Sequence, residues 1–214
     1  MNQFSFKHSY HRNLPHIQIE GATLFVTFRL AGSLPVEVIK RLSNEKETSE
    51  FELAKIRNSK ECTEKTDVES RRLFGKWDDA LDTSASNVRH LADPRIADLV
   101  SESLRFRDGK VYELIAFCIM PNHVHVVFTP LKESDEKYFS LSHIMHSLKR
   151  HTAREANLIL GCEGEFWQHE SYDRVVRNNS ELERIVKYVL YNPVKAGLTD
   201  NWQNWKWNYY KYSE

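Results

Sequence analysis

The sequence predicts helices interleaved with the strands of an antiparallel sheet, on three observations. Residues 112–119 are almost continuously apolar, as an inner strand covered on both faces must be, and 123–129 resume as a second strand directly after Met120-Pro121-Asn122. Leu24, Val26, Phe28 and Leu30 alternate with Phe25, Thr27 and Arg29, the period of two that marks a strand. Apolar residues recur at helical spacing in three later stretches: Ile96, Leu99, Val100 and Leu104; Leu141, Ile144, Met145 and Leu148; Leu182, Ile185, Val186 and Val189.

Taken in order, the strand at 23–30 comes first. Pro35 then opens a polar, acid-rich and Lys-rich run to Asp82 that reads as helix with a weak apolar stripe. We expect one domain over 1–214 with a charged helical insertion at 36–92. Asp93-Pro94 starts the next helix and Asp108-Gly109 stops it. The strands 112–119 and 123–129 form a hairpin in the centre of the sheet, ended by Pro130. The helix from Leu141 to about Asn157 has a basic flank of Lys149, Arg150 and Arg154. After a loop through Gly161 and Gly164, Ser180-Glu-Leu-Glu183 has the form of a capping box, and the helix it announces should end near Asn192-Pro193. The tail, Trp202 to Tyr212, is dense in aromatics and reads most economically as closing the core.

With 214 residues, 41% of them hydrophobic and 28% charged, the chain has the composition of a soluble globular protein. A formal net charge of zero gives no whole-chain sign of a polyanionic partner, yet acids gather between Asn44 and Asp82 while Lys149, Arg150 and Arg154 make a local basic cluster. The three cysteines lie far apart and form no Cys-x-x-Cys pair, so neither a disulfide framework nor a zinc knuckle is suggested, and a reducing compartment fits best. Met1 to His8 shows no apolar signal core, and the longest apolar stretch, 114–120, is far short of the roughly 20 residues a membrane helix needs. The expectation is a cytoplasmic protein with no membrane partner.

The chemistry centres on Pro121-Asn-His-Val-His-Val-Val-Phe-Thr-Pro130. Strand side chains alternate, so His123 and His125 face one way, their Cα atoms about 6.6 Å apart, and both rings can reach one divalent cation. A histidine pair on a half-exposed strand also occurs with no function. On the later helix Tyr188 and Asn192 fall together at the edge of the buried stripe, four residues apart, while Tyr191 points outward. A phenol of pKa about 10 attacks poorly unless a cation or base lies near it, and two imidazoles with an amide oxygen suit Mg²⁺ or Mn²⁺ better than zinc. A packed tyrosine with its hydroxyl at the surface is the plain alternative. Lys149, Arg150 and Arg154 could follow a DNA backbone or be merely solvated; Tyr172, in the loop before the late helix, could stack an unpaired base and Arg177 could grip phosphate. His143, His146 and His151 do not converge and read as surface or packing residues.

The motifs 117–128, 146–157, 166–177 and 188–198 resemble those of the REP-associated tyrosine transposases, relatives of the single-tyrosine, histidine-hydrophobic-histidine transposases of small insertion sequences. The likeness spans roughly 11–30 and 93–209. It implies a ferredoxin-like α+β sandwich with an antiparallel sheet, helices on one side and the paired histidines on a central strand. By the same resemblance His123, His125 and Asn192 are metal ligands and Tyr188 is the nucleophile. The implied reaction is cleavage and rejoining of single-stranded DNA through a 5′-phosphotyrosine, on palindromic hairpins, by a monomer or homodimer. A hairpin-binding protein with little catalysis, or a zinc hydrolase independent of Tyr188, are the competing readings.

Overall fold

The computed structural model describes residues 10–12, 14–16, 20–55, 59–84 and 86–213, with the side chains of 10–16, 59–64 and 67 left aside. The reading of Met1 to His8 therefore lies outside the described residues, as does part of the likeness at 11–30. The chain divides into two compact units, Gly32–Val88 and the remainder.

The larger unit opens with a small antiparallel hairpin, β1 (Tyr10–Arg12) and β2 (Leu14–His16). Its centre is a five-stranded antiparallel sheet made of β3 (Leu24–Arg29), β4 (Tyr112–Ile119), β5 (His123–Pro130), β8 (Tyr172–Val175) and β9 (Asn208–Tyr210), in the order β8-β3-β5-β4-β9. A second hairpin, β6 (Lys132–Ser134) with β7 (Lys137–Tyr138), follows β5. The predicted hairpin is thus the middle of the sheet, where β5 is flanked by β3 and β4.

The smaller unit is an antiparallel pair of helices, α1 (Val36–Ala54) and α2 (Ser59–Asp82). The charged run read as one helical arm is therefore two helices. An ion pair of Lys76 with Glu45 at 2.8 Å joins the two helices, and others, such as Arg72 with Glu69, run along one of them.

In the larger unit α3 (Pro94–Phe106) starts where expected, with Asp93 as N-cap accepting from the Arg95 N–H at 2.9 Å. The next helix, α4 (Leu141–Leu160), runs three residues past the predicted end and stops at Gly161, whose φ of +63° is the left-handed cap that glycine adopts without strain. The last helix, α5 (Asn179–Lys195), differs from expectation at both ends. Its cap is Asn178, which accepts from the Glu181 N–H at 2.9 Å, while Glu181 in turn accepts from the Arg177 N–H at 2.9 Å. The helix also continues through Pro193 into its last turn, although proline has no N–H to give to the Val189 carbonyl. There the Asn208 amide donates to the Leu190 carbonyl at 3.0 Å and steadies the interrupted turn.

Helices cover both faces of the sheet rather than one. Val124, Val126 and Phe128 point to the α3 and α4 side: the Tyr112 ring stacks on Phe128 and its hydroxyl donates to the Leu104 carbonyl of α3 at 2.7 Å. Phe28 meets Trp167, whose indole donates to Thr152 of α4 at 2.8 Å. The other face carries His123 and His125 and meets α5. The aromatic tail docks on β4, where the Trp205 indole donates to the Ile119 carbonyl at 3.0 Å and Tyr209 stacks on Phe117. No helix among the described residues is long and apolar enough to cross a membrane.

Candidate metal and nucleophile site

Alternation along β5 places His123 and His125 on one face, as predicted, and both are fully buried. Their Nε2 atoms approach to 3.0 Å. Each Nδ1 is turned away onto a fixed partner: Asn122 Oδ1 at 2.7 Å for His123, and Thr27 Oγ1 at 2.7 Å for His125. Thr27 lies directly across the ladder from His125, and the turn holding Asn122 is tied by bonds from Leu30 N–H to the Asn122 carbonyl and from Met120 N–H to the His123 carbonyl, both 2.9 Å. Two adjacent ligands on an octahedron of about 2.1 Å radius stand about 3.0 Å apart, whereas a tetrahedral zinc site spreads two nitrogens to about 3.4 Å. The imidazole pair is placed so that both Nε2 atoms could hold one metal ion.

Tyr188 comes to this pair from α5. Its ring lies edge-on to His125, with centroids 5.6 Å apart. Phe25 on β3 sits among the three aromatics, stacked on His125 at 5.8 Å and edge-on to Tyr188 and Tyr172, each at 6.2 Å. This ring fixes where the phenol can go. Tyr191 is 45% exposed and its ring neighbours Trp202 at 6.3 Å, so of the two late tyrosines it is Tyr188 that faces the histidines. Asn192 follows Tyr188 by one turn and is buried, deeper than the edge position read from the helical wheel, because β9 and the tail close over that end of α5. Both line a surface groove of about 320 Å³ with Tyr191, Arg184, Lys187 and Lys195. Those three cations were missed in the sequence; their signal was spacing from Tyr188 along one helix edge.

The residues expected to meet DNA divide between the faces. Tyr172 is in the edge strand β8 rather than a loop, and it shares the imidazole face through its pairing with Thr27. The short, charged strand Tyr-Asp-Arg-Val lacks the apolar alternation by which strands are recognised. Arg177 is exposed beyond the end of that strand. Arg150 and Arg154 are exposed on α4, across the sheet from the imidazoles. Lys149 turns inward, donating to the carbonyls of Gln168 at 2.8 Å and His169 at 3.1 Å, so its charge clamps the 168–170 loop. Burial, with Arg29 nearby, pushes its ammonium down to about 8. Arg174 bonds Glu181, tying β8 to the start of α5. His143, His146 and His151 are exposed on α4.

A strand-borne imidazole pair beside a helix-borne phenol, on a five-stranded antiparallel sheet, is the arrangement that the resemblance to single-tyrosine transposases implies. Residues 91–192 match the family model described as IS200-like transposase. The chain is 26% identical over 103 residues to a putative REP-associated tyrosine transposase of Haemophilus influenzae, covering 45% of this chain and 58% of that one. It is 24% identical over 102 residues to the REP-associated tyrosine transposase of Escherichia coli, covering 48% and 56%. The match thus spans little more than half the length of these curated relatives. A solved REP-associated tyrosine transposase bound to a REP hairpin shares the fold, with a TM-score of 0.50 and 17% identity over 94% of this chain and 82% of the other. The resemblance drawn from the motifs is borne out, and so is the α+β fold it implies.

Proposed function

We propose that this protein cuts and rejoins single-stranded DNA at hairpin substrates, with Tyr188 as nucleophile and with His123, His125 and Asn192 holding Mg²⁺ or Mn²⁺. The observation that carries the reading is the meeting of the Tyr188 ring with His125 at 5.6 Å, beside two Nε2 atoms converged at 3.0 Å. A divalent cation bound there would polarise the scissile phosphate and neutralise its charge. The rest falls to the chain itself. Tyr188 supplies the oxygen that forms the new bond to phosphorus, the 3′-oxygen leaves as a hydroxyl, and a 5′-phosphotyrosine remains. Arg184, Lys187 and Lys195 flank the phenol and offer charges to the backbone of the strand. Tyr172 on the same face offers a stacking surface to an unpaired base, and Arg177 a phosphate contact.

That the hairpins are repetitive extragenic palindromes rests on the relatives' names and on the hairpin bound by the solved one. Lys149 serves such a site by positioning the 168–170 loop, while Arg150 and Arg154 reach DNA only if the hairpin extends around the sheet. Incubation with hairpin DNA carrying a single-stranded flank, plus Mn²⁺, tests the reading: a denaturation-resistant adduct should form and be lost in Tyr188→Phe. Hairpin binding without any adduct in the intact protein would favour the binding-protein alternative, and activity persisting in Tyr188→Phe would favour a hydrolase.

A further inference from the structure

The six residues of α5 that line the groove beside Tyr188 stand in two parallel ridges. Arg184, Tyr188 and Asn192 follow one another at four-residue intervals, and so do Lys187, Tyr191 and Lys195. Each tyrosine thus has a cation one turn before it, and Tyr191 has another one turn after. Among the described residues the lining holds three cations and no carboxylate, which suits a polyanion. Tyr191 is 45% exposed, and the Lys187 ammonium lies 5.9 Å from the centre of its ring. Trp202 stands beside it, partly exposed, with ring centroids 6.3 Å apart and planes inclined at 42°, so the two rings are not stacked on one another. One side chain anchors the backbone under both: the Asn208 amide donates to the Leu190 carbonyl, next to Tyr191, at 3.0 Å and to the Trp202 carbonyl at 2.8 Å. Asn201 caps the short turn Trp202–Asn204 by accepting from the Gln203 N–H at 3.0 Å. The pair is therefore held in place in advance, and a ligand loses little affinity to ordering it.

We propose that Tyr191 and Trp202 form a stacking platform for one unpaired base of the substrate strand, next to the phosphate that Tyr188 attacks, with Lys187 meeting the backbone of that nucleotide. Tyr191 comes three residues after Tyr188, and side chains at that spacing are neighbours on a helix, with about 5–6 Å between Cβ atoms. A strand that brings a phosphate to Tyr188 thus lays an adjacent base across Tyr191. The ring makes no bond to the reacting atoms, so Tyr191 is a positioning residue. Every base has a π face, and the platform is indifferent to which one it holds. Bases inside a duplex have both faces covered by their neighbours, so the platform favours a single-stranded flank over paired DNA. The inference rests on the reading of this groove as the path of single-stranded DNA.

Binding of a labelled hairpin with a single-stranded flank to the full chain, followed by fluorescence anisotropy in EDTA so that no strand is cut, tests the platform. Tyr191→Ala should weaken binding roughly tenfold, while Tyr191→Phe, which keeps the ring, should stay within about twofold of the parent. Both variants should melt as the parent does, since the ring is at the surface. The flank is then scanned with single abasic sites. One position should cost the parent roughly tenfold and cost Tyr191→Ala almost nothing, whereas exchanging the base there should change the affinity of the parent by less than about threefold. With Mn²⁺ present, Tyr191→Ala should raise the DNA concentration that gives half-maximal adduct formation more than it lowers the rate at saturation. Parent-like affinity in Tyr191→Ala, an equal loss in Tyr191→Phe, or an abasic profile that Tyr191→Ala leaves unaltered overturns the proposal. A flank that adds nothing to the hairpin affinity of the parent overturns it too. Failure of the parent to form any adduct refutes the cutting reading alone, because the abasic scan is read without chemistry and still decides for or against the platform.

Discussion

On one face of β5, Val124, Val126 and Phe128 are buried against Tyr112, Phe28 and Trp167, and the few polar groups there are paired within the protein. On the other face of the same strand, one residue out of step, His123 and His125 turn two nitrogens toward each other beside a tyrosine. The first face has groups whose hydrogen bonds are complete: the Tyr112 hydroxyl ends on a helix carbonyl and burial raises its pKa, which makes it a poor nucleophile. The second keeps its phenol half-exposed at a basic groove. Burial of aromatic residues is common to both faces; what separates them is that only the second brings two imidazoles and a phenol together at a groove lined by cations.

Changes on the two faces should accordingly fail in different ways. The largest effect is expected for Tyr188→Phe, lowering covalent adduct formation on the order of a thousandfold or more while thermal melting shifts little; His125→Ala should lose the adduct to a similar extent but, from a fully buried position, should also lower the melting temperature. An adduct formed at parental rate by either variant would break the contrast. Phe128→Ala, one face away, should cost about 3–5 kcal/mol of stability in urea titrations, yet the fraction still folded should form adduct normally. Thr152→Val should cost about 1–3 kcal/mol by leaving the Trp167 indole N–H buried without its acceptor, again with no change in chemistry per folded molecule.

Lys149 sharpens the comparison through pH. Its folded pKa of about 8 lies below the unfolded value, so from about pH 8 up to about 10.4 the folded state binds fewer protons and gains stability as pH rises. Relative to Lys149→Met, the intact protein should gain roughly 1–2 kcal/mol between about pH 7.5 and 9.5, measured by urea midpoints. A flat difference would mean the ammonium is not held in a desolvated clamp. The smallest effect is expected for Arg150→Ala and Arg154→Ala, each lowering hairpin affinity roughly twofold to fivefold and flattening its salt dependence; Arg177→Ala should cost more.

Several features were legible because they depend on short-range rules. The β4 and β5 hairpin follows from two apolar runs and an intervening Pro-Asn turn, the shared face of His123 and His125 from a period of two, and the outward position of Tyr191 relative to Tyr188 on α5 from a period of 3.6. What failed did so where the deciding partner is distant in sequence. β8 is a strand because β3 offers it a free edge, and Tyr-Asp-Arg-Val by itself has no strand signal. α5 passes through Pro193, where the Asn208 side chain, 18 residues from its partner, donates to the Leu190 carbonyl of that turn. Lys149 belongs to a basic flank by sequence, yet the carbonyls of residues 168–170 draw it inward.

The sequence by itself determined which residue types could do chemistry and which side of their own strand or helix each would occupy, since alternation and helical period are local properties of the backbone. Only the tertiary structure decided that α5 crosses the imidazole face and not the apolar one, and that Thr27 takes the Nδ1 atom of His125. Those outcomes depend on strand register and on helix packing over separations of 60 residues or more in the pairs His125 with Tyr188 and Thr27 with His125, and no local rule extends so far.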